Sequence, residues 1–378
     1  MIGGLRRPAL LATAALVLAA PVATAAAPTP AARAWILVNP ATDEVLASRN
    51  ADMRLPMAST TKMMTALVAV ERSRPDQRVL IPASAAAVGE SSAQLVAGER
   101  LRMRDLLAGV LVASGNDASV AVADAVAGSQ AGFVRLMNAR AAALGLRNTR
   151  FANPHGLDAP RHYSSARDLA TTGEALMAVP ELRAIVANRT AVIPGPGGAG
   201  RRVLESHNLL LDIDPDADGI KTGNTDRAGY TLVAHATRER LGMDLYAVIL
   251  GSTGEVQRAR DAKRLLDWGF RQYARPVLVE PGSPVVRVAV KDRPGVTLLL
   301  RAGGEPLRAT IRLGRPVREA IEAPRAVVAP VSDGQVVGRV VIRQDGRALG
   351  TRPLLAEQDV AAPGVVERLR SGLSALFS

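Results

Sequence analysis

The 378-residue chain contains no cysteine, which excludes a disulfide scaffold, a cysteine nucleophile and thiolate metal ligation at once. Histidine is nearly as scarce: His155, His162, His207 and His235 are the four, and none shows the H-E-x-x-H spacing of a helical zinc site. No metal and no other cofactor is expected. Aromatic residues make up 3% of the chain, too few to build stacking platforms for bases. The net charge is +12, yet the arginines are interleaved with 35 acidic residues and form no stripe. Nucleic-acid binding is therefore not expected, and a diffuse positive excess suits anionic membrane or wall polymers better. Lysine is the most telling scarcity. Of 47 basic residues only Lys62, Lys221, Lys263 and Lys291 are not arginine.

What is present reads as an exported, folded protein. Apolar residues at 48% and charged residues at 22% exclude wholesale disorder. Residues 1–27 begin with Arg6 and Arg7, continue through an apolar run to Pro21, and end in the small residues Ala23, Thr24, Ala25, Ala26 and Ala27. This is the order of a secretory signal peptide, cleaved near Ala25 or Ala27. Strand-like runs follow at 33–39 and 45–48, around a turn at 40–43. Helical periodicity then dominates: 59–71, 103–113, 118–126, 133–144 and 165–177, the last with Ser165 and Asp168 as a capping box. Strands return at 220–225, 231–235 and 244–251, before a helix over 255–273. Strands at both ends with helices between predict an α+β domain over residues 28–275, its one antiparallel sheet closed by the two halves of the chain. Beyond it, β-branched runs at 285–290, 296–300, 308–313, 326–331 and 336–343 predict a small all-β domain, assigned to 276–360. Residues 361–378 place Val365, Val366, Leu369, Leu373, Leu376 and Phe377 on one helical arc and arginines on the rest, the pattern of a helix lying on an anionic membrane.

Two of the four lysines fall in short motifs. Ser59-Thr60-Thr61-Lys62 opens a predicted helix, and the i,i+3 spacing puts hydroxyl and amine on one face. An amine can take a serine proton only when neutral, so burial must lower its pKa, and arginine could not serve there. Ser114-Gly115-Asn116 falls between two helical stretches, where glycine lets Ser114 and Asn116 turn inward. Lys221-Thr222-Gly223 lies on a predicted strand, offering an ammonium, a hydroxyl and close backbone approach to an anionic substrate group. The three motifs in this order are the signature of penicillin-recognising serine enzymes.

On these motifs, and on the runs Ala34-Trp35-Ile36-Leu37-Val38, Phe151-Ala152-Asn153-Pro154-His155-Gly156-Leu157 and Asp218-Gly219-Ile220, the chain resembles the low-molecular-mass penicillin-binding proteins, serine D-Ala-D-Ala carboxypeptidases of the peptidase S11 type. The resemblance implies a transpeptidase-like catalytic domain, a β-rich second domain and a terminal helix. It implies Ser59 as the nucleophile on the penultimate D-Ala of peptidoglycan stem peptides, with Lys62 as base. Ser114 would relay protons, and Asn116 would hold the peptide amide or Lys62. Lys221, Thr222 and Arg258 would bind the free carboxylate, with Gly223 beside them. The backbone N–H groups of Ser59 and Asn224 would form the oxyanion hole, and His155 matches a histidine of some members. β-Lactams would be covalent inhibitors, and the protein would stand in the periplasm on the outer face of the cytoplasmic membrane. One departure is visible: many relatives carry histidine where this chain has Asn224. A β-lactamase would need a dedicated deacylating glutamate, and no E-x-x-x-N spacing occurs between Ser114 and Lys221. The same fold would also serve a DD-endopeptidase or a non-catalytic wall-binding protein. The intact motifs argue against the binder, which has no use for a neutralisable lysine beside a serine.

Overall fold

The apolar runs near the two ends of the first 271 residues are brought together by strand pairing. In a computed structural model of the chain, which describes residues 26–196, 199–291, 293–362 and 364, five strands form one wholly antiparallel sheet. Its order is Glu44–Arg49, Ala34–Asn39, Met243–Ser252, Gly229–Arg238 and Ala217–Thr225. Ala34–Asn39 is buried along its whole length, as a central strand covered on both faces must be. Ala217–Thr225, which carries the Lys221-Thr222-Gly223 motif, is the edge strand of this sheet. The expected closure of the sheet by both halves of the chain is found.

Helices cover the sheet. Helix Glu255–Phe270 packs so close that a Cβ at Gly269 would stand 2.7 Å from side-chain atoms of Leu37 and Leu245. On the other side the core gathers around helix Lys62–Arg72, whose residues from Lys62 to Ala69 are all buried. A helix buried on every side is the hub of its layer. Helices Met103–Leu111, Asn116–Ala127, Gln130–Ala143 and Ala166–Met177 surround it.

Several local expectations change. The predicted helix over 59–71 is a 3₁₀ turn, Ala58–Thr61, followed by the α-helix. The capping box at Ser165 is half formed: Ser165 Oγ accepts from Asp168 N, but the Asp168 carboxylate turns to Asn148 N and Thr149 Oγ1, both at 2.7 Å. Helix Pro180–Val186 and the hairpin Thr190–Pro194 with Arg201–Glu205 have no counterpart among the predicted elements. The helix expected over 255–273 ends at Phe270, because Tyr273–Ala274 is a strand paired with Ile311–Arg312.

Residues from Gln272 onward form a second unit with its own core, built on Leu298, Leu300, Val340 and Leu354. Its six-stranded sheet runs Val317–Glu322, Val336–Gln344, Arg347–Ala356, Thr297–Ala302, Pro284–Val290 and Ala326–Val327, and only the last pair is parallel. The hairpin between Val336–Gln344 and Arg347–Ala356 turns on Asp345 and Gly346, with φ of +50° and +80°. That is the conformation an Asp-Gly pair supplies. The predicted run 308–313 is two short strands, Leu307–Arg308 and Ile311–Arg312, each in a separate two-stranded pair. The amphipathic segment 365–378 and the signal-peptide core lie outside the described residues. Among the described residues no helix is long and apolar enough to cross a membrane.

Candidate active site

Backbone geometry sets the position of Ser59. Ala58, just before Ser59, has φ of +49°, a left-handed conformation that costs a non-glycine residue energy and recurs at functional sites. Two glycines close around it. A Cβ at Gly156 would stand 2.2 Å from Ala58 O, and one at Gly223 would stand 2.7 Å from Ser59 N. Both positions require glycine because another backbone occupies the side-chain space. Thr61 Oγ1 donates to Ala58 O at 2.8 Å and is met by His162 Nε2 at 2.8 Å. His162 Nδ1 accepts from Ala152 N, so Nε2 bears the proton of the neutral ring and donates to Thr61.

Lys62 is wholly buried beneath Ser59. Its Nζ lies 2.9 Å from Ser59 Oγ, 2.7 Å from Asn116 Oδ1 and 2.7 Å from the carbonyl of His155. Asn116 Nδ2 donates to Gly89 O at 3.0 Å, which fixes the amide so that its oxygen faces Lys62. The two carbonyl partners can only accept, whereas the serine hydroxyl can donate. A neutral amine therefore satisfies both carbonyls with its N–H groups and leaves its lone pair for the Ser59 proton. Burial, and then the Lys221 ammonium, hold Lys62 well below the usual lysine range against the opposing pull of Asp117 and Glu90.

Ser59, Ser114, Thr222, Gly223, Asn224 and Arg258 all line one cleft of about 530 Å³. Ser114 sits at the mouth of helix Asn116–Ala127 with φ of +59°. Lys221 is only 2% exposed and stands behind the cleft wall, its Nζ donating to Thr222 O at 3.1 Å. Burial and the nearby Arg258 guanidinium push it down to about 7. Arg258, in the first turn of its helix, donates to Gly223 O at 2.9 Å and His207 O at 3.2 Å, pairs with Glu255 at 2.8 Å, and lies over the Tyr230 ring. It thus clamps the motif strand to the loop at His207. His155 reaches Lys62 through its carbonyl, not its ring; ring Nδ1 accepts from Leu157 N at 3.2 Å. Burial first, and then the basic groups of Lys62 and His162 nearby, hold His155 down to about 4. Among the described residues no cluster of ligands suited to a metal occurs.

Sequence reasoning passed over Glu90, Ser91, His207, Tyr230 and Glu255, which also line the cleft. It also passed over Asp117, which is 1% exposed and accepts from Ala93 N, Leu95 N and Ser92 Oγ. A buried aspartate directly after Ser114-Gly115-Asn116 was the available signal, since an acidic group there must find donors in a neighbouring loop.

With this geometry in view, the chain was compared with known proteins. The pattern of the family described as D-alanyl-D-alanine carboxypeptidase, peptidase S11, matches residues 21–254, and that of the penicillin-binding protein 5 C-terminal domain matches 309–362. D-alanyl-D-alanine carboxypeptidase DacC of Escherichia coli K12 is 38% identical over 378 residues, covering 94% of this chain and 92% of that protein. DacF of Bacillus subtilis 168 is 32% identical, over 90% of this chain and 88% of its own. Among solved structures, penicillin-binding protein 5 of Haemophilus influenzae superposes with a TM-score of 0.63 at 32% identity, covering 89% of this chain and 99% of that one. The Streptomyces K15 DD-transpeptidase superposes with a TM-score of 0.61 at 32% identity, covering 65% and 100%.

Proposed function

From the premise that the chain belongs to the peptidase S11 family of D-alanyl-D-alanine carboxypeptidases, the low-molecular-mass penicillin-binding proteins, we propose how its residues share out the removal of the terminal D-Ala from peptidoglycan stem peptides. The observation that carries this reading is the wholly buried Lys62 amine between two carbonyls and Ser59 Oγ. Lys62 takes the proton of Ser59 as Oγ attacks the carbonyl of the penultimate D-Ala. The backbone N–H groups of Ser59 and Asn224 receive the oxyanion. This role needs only the backbone and so tolerates asparagine where relatives carry histidine. Collapse of the tetrahedral intermediate breaks the peptide bond. The leaving amine takes the proton held by Lys62, passed through the Ser114 hydroxyl. Water then hydrolyses the ester.

Substrate orientation follows from charge. Thr222 offers its hydroxyl at the cleft wall, and behind it Lys221 and Arg258 supply positive charge to the free carboxylate. Arg258 acts in addition as a clamp, since it holds Gly223 O and His207 O together. Gly223 admits the edge strand against Ser59, so an extended peptide can lie along Ala217–Thr225. His155 contributes a carbonyl that orients Lys62, and its neutral ring takes no proton. A β-lactam opened by Ser59 leaves no small fragment to depart and stays as an ester. At the whole-chain level, residues 361–378 lie on the anionic membrane surface of the periplasmic side after export under the 1–27 signal.

The test is direct. Purified protein incubated with a peptide ending in D-Ala-D-Ala releases D-Ala, and penicillin adds its mass to the peptide that contains Ser59. An adduct on any other peptide, or none at saturating penicillin, removes Ser59 from its role.

A further inference from the structure

Two carboxylates line the catalytic cleft, and their situations differ. Glu255 is held 2.8 Å from Arg258, which neutralises it. Glu90 is exposed and, among the described residues, takes part in no ion pair. Its position is nevertheless built. Asn116 grips the chain on both sides of it: Nδ2 donates to Gly89 O at 3.0 Å, and the Asn116 backbone N–H donates to Ser91 O at 2.8 Å. Just beyond, Asp117 fastens Ser92, Ala93 and Leu95. Glu90 itself has φ of +68°, a conformation that a side-chain-bearing residue holds only when its surroundings impose it. The residue that orients Lys62 therefore also fixes the backbone from which an unpaired carboxylate enters the cleft.

Charge decides what that carboxylate meets. The substrate's own C-terminal carboxylate belongs with Lys221, Thr222 and Arg258, and Glu90 would repel it. The acyl-donor half of the peptide is what remains for the Glu90 wall. We propose that Glu90 is a specificity-determining residue, favouring acyl-donor peptides that carry a side-chain ammonium upstream of the penultimate D-Ala. The inference rests on the carboxypeptidase reading above.

The experiment compares two soluble substrates, N-acetyl-lysyl-D-alanyl-D-alanine with its side-chain amine free and the same peptide with that amine acetylated. The wild-type protein at low ionic strength should show a kcat/KM roughly two- to fivefold higher for the free amine, the upper part of the range of an exposed charge pair. The ratio should shrink towards one in 1 M salt. Glu90→Gln should bring it to about one even at low salt, and Glu90→Lys should invert it, favouring the acetylated peptide over the free amine. A merely structural role for Glu90 would lower both rates together and leave the ratio unmoved. Equal wild-type rates at low salt, or a preference that survives Glu90→Gln, overturn the proposal while leaving D-Ala release intact. Release from neither peptide would instead overturn the carboxypeptidase reading. Should Glu90→Gln not fold, the wild-type ratio and its salt dependence decide alone.

Discussion

Two buried lysines share one site, and in the proposed reaction Lys62 acts neutral and Lys221 charged, so their coupling is expected to set the pH behaviour. Lys221, while protonated, pushes Lys62 down, and burial does the same more strongly. The acid limb of kcat/KM for D-Ala release therefore reports loss of the Lys62 proton and lies well below the usual lysine range. The alkaline limb is expected near pH 7, where Lys221 gives up the charge proposed to hold the substrate carboxylate. Lys221→Gln should flatten the alkaline limb and move the acid limb to higher pH, because Lys62 then loses a depressing neighbour. A pH profile in which the acid limb moves down instead refutes the coupling. Lys62→Arg keeps charge but cannot serve as base, so acylation should fall by roughly 10²- to 10⁴-fold, more than for Lys221→Arg. Time-resolved penicillin acylation measures both. The Ser59, Lys62, Ser114, Asn116 and Lys221 positions were legible because spacing in the chain, together with the rarity of lysine, marks them. Glu90 and His207 were not: they enter from irregular loops, where no periodicity says which way a side chain faces, and Asp117, in the first turn of helix Asn116–Ala127, was missed because its partners lie in the loop at 92–95. Nor could spacing place Lys221 behind the wall, or turn the ring of His155 aside from Lys62 while its carbonyl makes the contact.

At the scale of elements, three adjacent strands are bolted together by a group unrelated to catalysis. His235, on Gly229–Arg238, is 2% exposed; its Nδ1 bonds Asp218 of the motif strand and its Nε2 lies 3.0 Å from Asp244 of Met243–Ser252. The Tyr246 ring packs at 4.5 Å, while Arg183 and Thr237 bond Asp218 from outside. Burial alone would lower His235, but the two carboxylates outweigh it and raise the imidazole above its ordinary value. A raised folded-state pKa stabilises at pH below the unfolded value of about 6.5 and ceases to do so as pH rises through the folded value. His235→Ala should therefore cost roughly 1–3 kcal/mol at pH 5.5 and distinctly less at pH 9, read as the loss in Tm at each pH. An equal loss at both refutes the ionic role. Most of the catalytic sheet was legible, since its apolar runs are continuous or alternating. Arg347–Ala356 was not, because Gly350 and Pro353 read as breakers; Pro353 is tolerated although the strand is paired on both sides. Val317–Glu322 was missed because its charged residues mask the alternation. The hairpin of Thr190–Pro194 with Arg201–Glu205 was missed because the Pro/Gly-rich sequence over 194–200 reads only as a loop.

For the molecule as a whole, chemistry and location separate along the chain. Every residue proposed to act on substrate lies before Arg271, and the unit that begins at Gln272 has an apolar core of its own. The positions of those residues are set by elements that end with helix Glu255–Phe270. On a helical wheel, the segment 365–378 has Val365, Val366, Leu369, Leu373, Leu376 and Phe377 within about 120°, with Arg368 and Arg370 flanking the arc. It is too short and too polar to span a bilayer, yet it carries what an interfacial helix uses: an apolar stripe for the acyl boundary and arginines for anionic headgroups. Its occupancy of a membrane should fall with salt, because part of the attraction is screened charge. Deleting 365–378 is therefore expected to leave D-Ala release from a soluble peptide nearly unchanged and to abolish co-sedimentation with vesicles containing anionic lipid. The full chain should bind such vesicles at low salt, and neutral phosphatidylcholine vesicles far less. If the truncated protein still sediments with the anionic vesicles, the positively charged folded units carry the attraction. If it instead melts at a markedly lower temperature, the segment packs against the protein's own surface and membrane anchoring is refuted.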